Sequence, residues 1–129
     1  MKNNNKIFLG EFFASCFLVM VIVGSGIMAE NLTNDNAVRL LANTIATGAG
    51  LFVLITAFAN ISGAHLNPFV SLSMYLTKRI KGKELLTFIP AQILGCLLGV
   101  MLANVFFEHS VIELLSLIHI SEPTRLTSI

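Results

Sequence analysis

Three long apolar segments constrain the fold of this chain more than any other feature of its sequence. They run from Ile7 to Ala29, from Leu40 to Ile61 and from Leu85 to Phe107. A helix needs about 20 apolar residues to cross the hydrocarbon core of a bilayer, so each segment is long enough to span it. Only 12% of the 129 residues are charged, against about a quarter in soluble domains. We therefore expect an all-α membrane protein with three transmembrane helices.

The distribution of charge predicts the orientation of these helices. Lys2 and Lys6 precede the first segment. Four cations lie between the second and third segments, namely Lys78, Arg79, Lys81 and Lys83. Cytoplasmic loops carry an excess of Lys and Arg, so the pattern predicts a cytoplasmic N-terminus. A cleaved signal peptide is the alternative for the first segment, but that segment exceeds the roughly 7–15 apolar residues of such a signal and contains Glu11, so we expect a retained helix.

A fourth apolar stretch, Pro68 to Leu76, is too short to cross the membrane, because at about 1.5 Å per residue it covers half of the hydrocarbon thickness. Asn67 predicts the start of a helix there, because asparagine caps free backbone N–H groups and proline is favoured at the first helical position. A surface helix is one alternative. The turn at Ser62 and Gly63 and the basic loop that follows favour a half-helix that re-enters the membrane. Irregular backbone at that depth requires surrounding protein or a water-filled cavity.

The segment ISGAHLNPFVSL, residues 61–72, resembles the first signature loop of the aquaporin and aquaglyceroporin family, the major intrinsic proteins. Three further segments resemble helices of that family: GEFFASCFLVMVIVGSG, LANTIATGAGLFVLITAF and IPAQILGCLLGVMLA. The resemblance extends from about Phe8 to about Phe107. It implies the first repeat of an inverted-repeat bundle, with three transmembrane helices and one re-entrant half-helix. It also implies a passive channel for water or small neutral solutes in a lipid bilayer, and a homotetramer for the full-length form.

The signature loop is the predicted site. If the oxygen of the Asn67 side chain is used in the helix cap, its NH₂ group remains as a donor towards the cavity. The resemblance implies that the backbone carbonyls of Gly63, Ala64 and His65 accept hydrogen bonds from permeating molecules. Pro68 completes the signature. The side chain of His65 is more often a packing residue than a ligand or proton carrier, which stays as the alternative.

Two polar residues inside the spans are expected to support this loop. Glu11 is an acid within a span, and the resemblance implies that it accepts backbone N–H bonds from the loop. Gln92 is expected to form hydrogen bonds within the helix bundle. Gly95 and Gly99 form a pair of small residues that favours close helix packing.

Two positions bear on the choice of solute. Phe69 stands where the family signature has alanine, which is the point where two half-helices meet. Its ring is therefore expected to narrow the centre of the pore unless a smaller partner residue accommodates it. Thr47 falls at the position that the resemblance assigns to the outer selectivity filter, where strict water channels have a bulky aromatic residue. A threonine widens the filter and favours a larger solute, such as glycerol, urea or a metalloid hydroxide.

The resemblance covers only the first of the family's two repeats. We expect residues 1–114 to form that repeat and residues 115–129 to be non-native, because LSLIHISEPTR, residues 115–125, resembles the translation of a transposase-based sequencing adapter. A native tail is the alternative. The chain alone is then expected not to conduct. A three-span carrier module or a non-conducting membrane subunit is the alternative function, and a second Asn-Pro motif with a nearby arginine downstream would distinguish the channel from both.

The remaining features argue against other functional classes. With a net charge of +1 and half of its cations in one loop, the chain lacks the basic face of a nucleic-acid-binding protein. Its two cysteines, Cys16 and Cys96, lie in apolar segments, where free cysteines usually pack as small hydrophobes. The sequence shows no nucleophile–base pair and no metal-ligand spacing, so we expect neither an enzyme nor a metal or cofactor site.

Overall fold

The structure is a computed structural model that describes residues 3–107 of the chain. This part of the chain folds into three long helices and one short helix. In chain order they are α1 (Asn4–Leu32), α2 (Asn36–Phe58), α3 (Pro68–Leu76) and α4 (Gly82–Phe106). The three long helices, α1, α2 and α4, are each long and apolar enough to cross a membrane. The predicted all-α architecture of three spans and a short helix is thereby confirmed.

Helix caps explain why the long helices begin before the predicted apolar segments. The side chain of Asn3 accepts a hydrogen bond from the N–H of Asn5 at the start of α1. Asp35 caps α2 in the same way, accepting from the N–H groups of Ala37 and Val38. Such caps lie outside the apolar runs, because polar side chains set the helix ends whereas apolar residues mark the hydrocarbon layer. The predicted boundary near residue 114 and the segment 115–129 lie outside the described residues.

α1 packs against both α2 and α4, and α3 packs against α4. The contact between α1 and α4 brings the two backbones together at two glycines of α4. A Cβ atom built on Gly99 would lie 2.5 Å from the carbonyl oxygen of Cys16, and one built on Gly95 would overlap the carbonyl oxygen of Phe12. Only glycine permits such an approach, so the Gly95 and Gly99 pair makes the close helix contact predicted from the sequence.

The outer surface of this bundle is apolar. Leu54 is the buried residue of α2. Large exposed side chains on that helix include Leu40, Leu41, Ile45, Phe52 and Val53. Apolar side chains on the outside suit a lipid environment, in which they need no protein partner.

Replacing Gly99 with alanine is expected to destabilise the packing of α1 against α4, because the new methyl group would overlap the Cys16 carbonyl. We expect the free energy of unfolding, measured by circular dichroism in lipid–detergent mixtures, to fall by about 1–3 kcal/mol.

Gly48→Ala is the matched control. Gly48 lies within α2, and a Cβ atom there would have no neighbour within 4 Å apart from the surrounding backbone of its own helix. Alanine at this position should be neutral or stabilise the helix by up to about 1 kcal/mol. An equal loss of stability in both variants would contradict the packing role of Gly99.

Candidate functional site

The segment that joins α2 to α3 has an unusual backbone. Gly63 has a φ of 105°, and Ala64 and Leu66 have φ values of 51° and 59°. Residues other than glycine in this left-handed region cost about 1–3 kcal/mol each and persist only where the surroundings hold them. The contacts of this loop, residues 59–67, must therefore offset that cost.

Glu11 of α1 supplies the central contact. Its carboxylate is fully buried and accepts four hydrogen bonds. Oε1 accepts from the Ser62 hydroxyl at 2.6 Å and from the backbone N–H of His65 at 3.0 Å. Oε2 accepts from the backbone N–H of Leu66 at 2.8 Å and from Nε2 of Gln92 at 2.9 Å. Two oxygens with two lone pairs each are thus matched by four donors, and bonds to a carboxylate are stronger than bonds between neutral groups.

These bonds also fix the direction of the loop carbonyls. The loop has no cis peptide bond, and in a planar trans peptide unit the N–H points opposite to the carbonyl of the preceding residue. The N–H groups of His65 and Leu66 point towards Glu11. The N–H of Ala64 points to the Ser62 hydroxyl at 3.2 Å, which lies against the same carboxylate. Three carbonyls therefore face away from Glu11, those of Gly63, Ala64 and His65.

Ser71 connects this loop to α4. Its fully buried Oγ lies 2.9 Å from Nε2 of Gln92 and 2.9 Å from Nδ1 of His65. The imidazole of His65 also stacks on the ring of Phe88, with the ring centroids 4.1 Å apart and the planes at 8°. The side chain of His65 is thus packed between α3 and α4.

Asn67 ends the loop and caps α3. Its Oδ1 accepts a hydrogen bond from the N–H of Phe69 at 2.9 Å, and Pro68 occupies the first helical position. With Oδ1 used in the cap, the amide of Asn67 presents its NH₂ group as a donor. The short helix begins at the residue that the Asn-Pro pair predicts.

A cavity of about 360 Å³ lies beside the loop, between it and the helices α1 and α2. Thr47, Ala64, His65 and Asn67 all contribute to its lining. The remaining lining residues are apolar: Leu18, Ile22, Leu51, Ile55, Leu66 and Val70. The structure therefore brings the predicted filter residue Thr47 and the predicted donor Asn67 to one cavity.

The other predicted site residues lie around this cavity rather than in it. Glu11 and Gln92 are fully buried on the opposite side of the loop. Phe69 lies on the first turn of α3, and its side chain is 77% exposed. Phe69 is not among the residues that line this cavity.

Thr47 is itself part of a polar cluster between α1 and α2. Its hydroxyl donates to Oδ1 of Asn43 at 3.4 Å. The same oxygen accepts from the hydroxyl of Ser25 at 2.8 Å. All three side chains are half-buried. Both of these hydrogen bonds end on the side-chain carbonyl oxygen of Asn43.

Sequence analysis missed several of these contacts. Ser62 and Ser71 are both fully buried, and each is a polar residue inside the quoted signature segment, which is a signal that could have identified them. Asn43 lies one helical turn before Thr47, so the two share one face of α2. The stacking of Phe88 on His65 could not be predicted from the local sequence, because phenylalanine is a common residue in apolar spans.

Comparison with known proteins assigns the family. The family model of the Major intrinsic protein matches residues 1–126. The chain belongs to the major intrinsic protein family. The resemblance seen in the signature loop is thereby confirmed. With three helices that are long and apolar enough to span a bilayer, this major intrinsic protein is an integral membrane protein.

Three curated relatives show how much of the family's length is present. Aquaglyceroporin AqpS of Rhizobium meliloti (strain 1021) is 45% identical over 100 residues, which cover 78% of this chain and 43% of that protein. Aquaporin A of Dictyostelium discoideum is 37% identical over 94 residues, covering 73% of this chain and 34% of the relative. Aquaporin-4 of Rattus norvegicus is 31% identical over 94 residues, which cover 73% of this chain and 29% of that protein. The chain therefore spans less than half of the length of each of these relatives.

Replacing Glu11 with glutamine is expected to release the loop. Glutamine puts an NH₂ donor where the carboxylate accepts hydrogen bonds, so at least one buried donor loses its partner, at a cost of about 1–3 kcal/mol. We expect a lower free energy of unfolding and faster hydrogen exchange at the backbone N–H groups of His65 and Leu66.

Glu30→Gln is the matched control, because Glu30 lies on the same helix but is exposed. This variant should change neither the free energy of unfolding nor the hydrogen exchange of the loop. Unchanged exchange at His65 and Leu66 in Glu11→Gln would show that the carboxylate does not hold the loop.

Proposed function

We propose that this chain forms the first half of a passive membrane channel for water or small neutral solutes. The observation that carries the proposal is the loop held by Glu11. Its three outward carbonyls lie on the side opposite the carboxylate, and the donor NH₂ of Asn67 lies in the lining of the adjacent cavity. Relatives named aquaporin and aquaglyceroporin support the same function. Nothing in the proposed mechanism requires an enzyme's chemistry.

The chemistry of the cavity suits neutral molecules that both donate and accept hydrogen bonds. A water molecule or a solute hydroxyl donates to the carbonyls of the loop and accepts from the amide of Asn67, which replaces the bonds it leaves in bulk solvent. The N-terminus of α3 carries a partial positive charge beside this point. A cation meets a repulsive field there, whereas a neutral molecule does not.

Thr47 supports a solute larger than water. A threonine in the cavity lining leaves more room than a bulky aromatic side chain and adds a hydroxyl. The relative that is 45% identical to this chain is named an aquaglyceroporin. We therefore propose that glycerol, urea or a metalloid hydroxide permeates together with water.

The proposed channel needs a second repeat. We propose that the chain alone does not conduct, that the full-length form is a homotetramer, and that residues 115–129 are not native. Two copies of this repeat would not rebuild the pore, because the second repeat must insert in the opposite orientation while the cations of residues 78–83 favour the cytoplasmic side in every copy. Because the Phe69 side chain is exposed in the described part of the chain, a second half-helix that packs against it would have to accommodate its ring.

The proposal is tested by joining residues 1–107 of this chain to the part of Aquaglyceroporin AqpS that follows its matching region. Both this fusion and the chain alone are reconstituted into vesicles, and water and glycerol fluxes are measured by stopped-flow light scattering. The fusion is expected to conduct both, and the chain alone neither. A correctly inserted fusion that conducts nothing would favour a carrier module or a non-conducting subunit, and conduction by the chain alone would contradict the half-channel proposal.

Thr47→Phe in the same fusion is expected to lower glycerol permeability at least about tenfold, a rise in barrier of about 1.4 kcal/mol, because the ring fills the cavity. The water permeability should fall less, because water is the smaller molecule. Thr44→Phe is the matched control, since Thr44 lies on the same helix but is exposed. Equal losses of glycerol and water permeability in Thr47→Phe would contradict a role for this position in selection.

The orientation is tested by labelling single cysteines with a membrane-impermeant maleimide in intact cells. Cys16 and Cys96 are first replaced with alanine, and a cysteine is then placed at Lys81 or at Asn34, both of which are exposed. With a cytoplasmic N-terminus, Asn34→Cys should be labelled and Lys81→Cys should be protected until the cells are lysed. The reverse pattern would contradict the proposed orientation.

A further inference from the structure

We propose that Asn43 is a positioning residue that fixes the hydroxyl of Thr47 as a hydrogen-bond acceptor towards the cavity, and that Ser25 holds Asn43 in place. The inference rests on the proposed function, because the polarity of Thr47 matters to permeation only if the cavity conducts. It concerns a residue outside the signature loop and outside the cavity lining.

The geometry places Asn43 between two hydroxyl groups. Its Oδ1 accepts from Ser25 of α1 at 2.8 Å and from Thr47, one helical turn further along α2, at 3.4 Å. Its amide nitrogen lies 3.8 Å from the position that a Cβ atom of Gly26 would take, so α1 passes close to this amide. The bond from Ser25, whose hydroxyl also lies 3.2 Å from the carbonyl oxygen of Ile22, therefore restricts the rotation of the Asn43 side chain.

The hydrogen bond of Thr47 differs from those of other threonines in the long helices. Three of them donate to the backbone carbonyl four residues earlier, which is the usual arrangement of this side chain in a helix. These are Thr44 to Leu40 at 2.7 Å, Thr56 to Phe52 at 2.8 Å and Thr87 to Lys83 at 3.1 Å. Thr47 instead donates to the side chain of the residue four positions earlier. The Asn43 amide thus takes the bond that the helix backbone would otherwise receive.

This bond determines what the hydroxyl of Thr47 can offer to a solute. A hydroxyl has one donor and two acceptor positions. With its proton directed to Asn43, Thr47 offers its lone pairs in a direction set by Asn43 and not by the helix backbone, whereas the NH₂ group of Asn67 offers donors because its oxygen caps α3. The cavity then presents an acceptor and a donor at two separate points. A solute with O–H or N–H groups can bind at both, and a solute without such donors loses the contact at Thr47.

The first test uses the chain itself in lipid nanodiscs, with ¹³C-labelled threonine methyl groups observed by NMR. Asn43→Leu should shift the methyl signal of Thr47, because its hydroxyl turns to the helix backbone, and should leave the signal of Thr44 unchanged. An unchanged Thr47 signal would overturn the inference whether or not any channel conducts.

The second test measures the ratio of glycerol to water permeability in the fusion described above. Thr47→Val removes the hydroxyl, and Asn43→Leu turns it to the helix backbone, so that its lone pairs no longer point towards the cavity. Each variant is expected to lower this ratio about threefold to tenfold, the effect of losing one hydrogen bond to the solute. If Asn43 acts through Thr47, the double variant should be no worse than Thr47→Val alone. Thr44→Val is the control and should leave the ratio unchanged.

The outcomes separate the two proposals. Additive losses in the double variant would show that Asn43 does not act through Thr47, while leaving the channel proposal intact. A fusion that conducts nothing would overturn the proposed function, and the NMR result would then decide the positioning role of Asn43 by itself.

Discussion

The hydrogen bonds between Glu11 and the loop are the interaction on which the rest of the site depends. A loop with two non-glycine residues in the left-handed region is unfavourable on its own, and the N–H groups of the buried residues Ala64 and Leu66 would be costly without partners. The carboxylate satisfies two of these N–H groups directly and a third through Ser62. Burying the carboxylate is itself costly, and the same four hydrogen bonds offset that cost. The carboxylate and the loop are therefore each unfavourable in this environment without the other.

The loop separates two kinds of polar group. On one side, Glu11, Ser71 and Gln92 are joined by buried hydrogen bonds. On the other side, Ala64, His65 and Asn67 line the cavity. The first set holds the backbone, so the second set needs no contacts of its own to keep its direction. In the proposed channel, such preorganised groups exchange hydrogen bonds with a permeating molecule without rearranging.

The sequence predicts the fold better than it predicts the contacts. The apolar segments identify the three spans, and the Asn-Pro pair predicts the start of α3, because both signals are local. The ends of the long helices differ from the apolar segments because caps such as Asp35 are polar. The resemblance led us to expect that Glu11 accepts N–H bonds from the loop, and in the structure it accepts two. The pairing of Ser71 with Gln92 and of Asn43 with Ser25 joins distant parts of the chain, which no local pattern encodes.

The distance along the chain between Glu11 and its donors has a consequence for synthesis. The Ser62 hydroxyl comes 51 residues after Glu11, and the Gln92 amide comes 81 residues after it. At translation rates of roughly 5–20 residues per second, the first helix therefore exists for several seconds before its acid has all of its partners. During that interval the carboxylate must be solvated by water or by other polar groups, because an unpaired polar group in hydrocarbon is costly. Glu11, which organises the finished loop, is thus also the residue that most disfavours membrane insertion of the newly made α1.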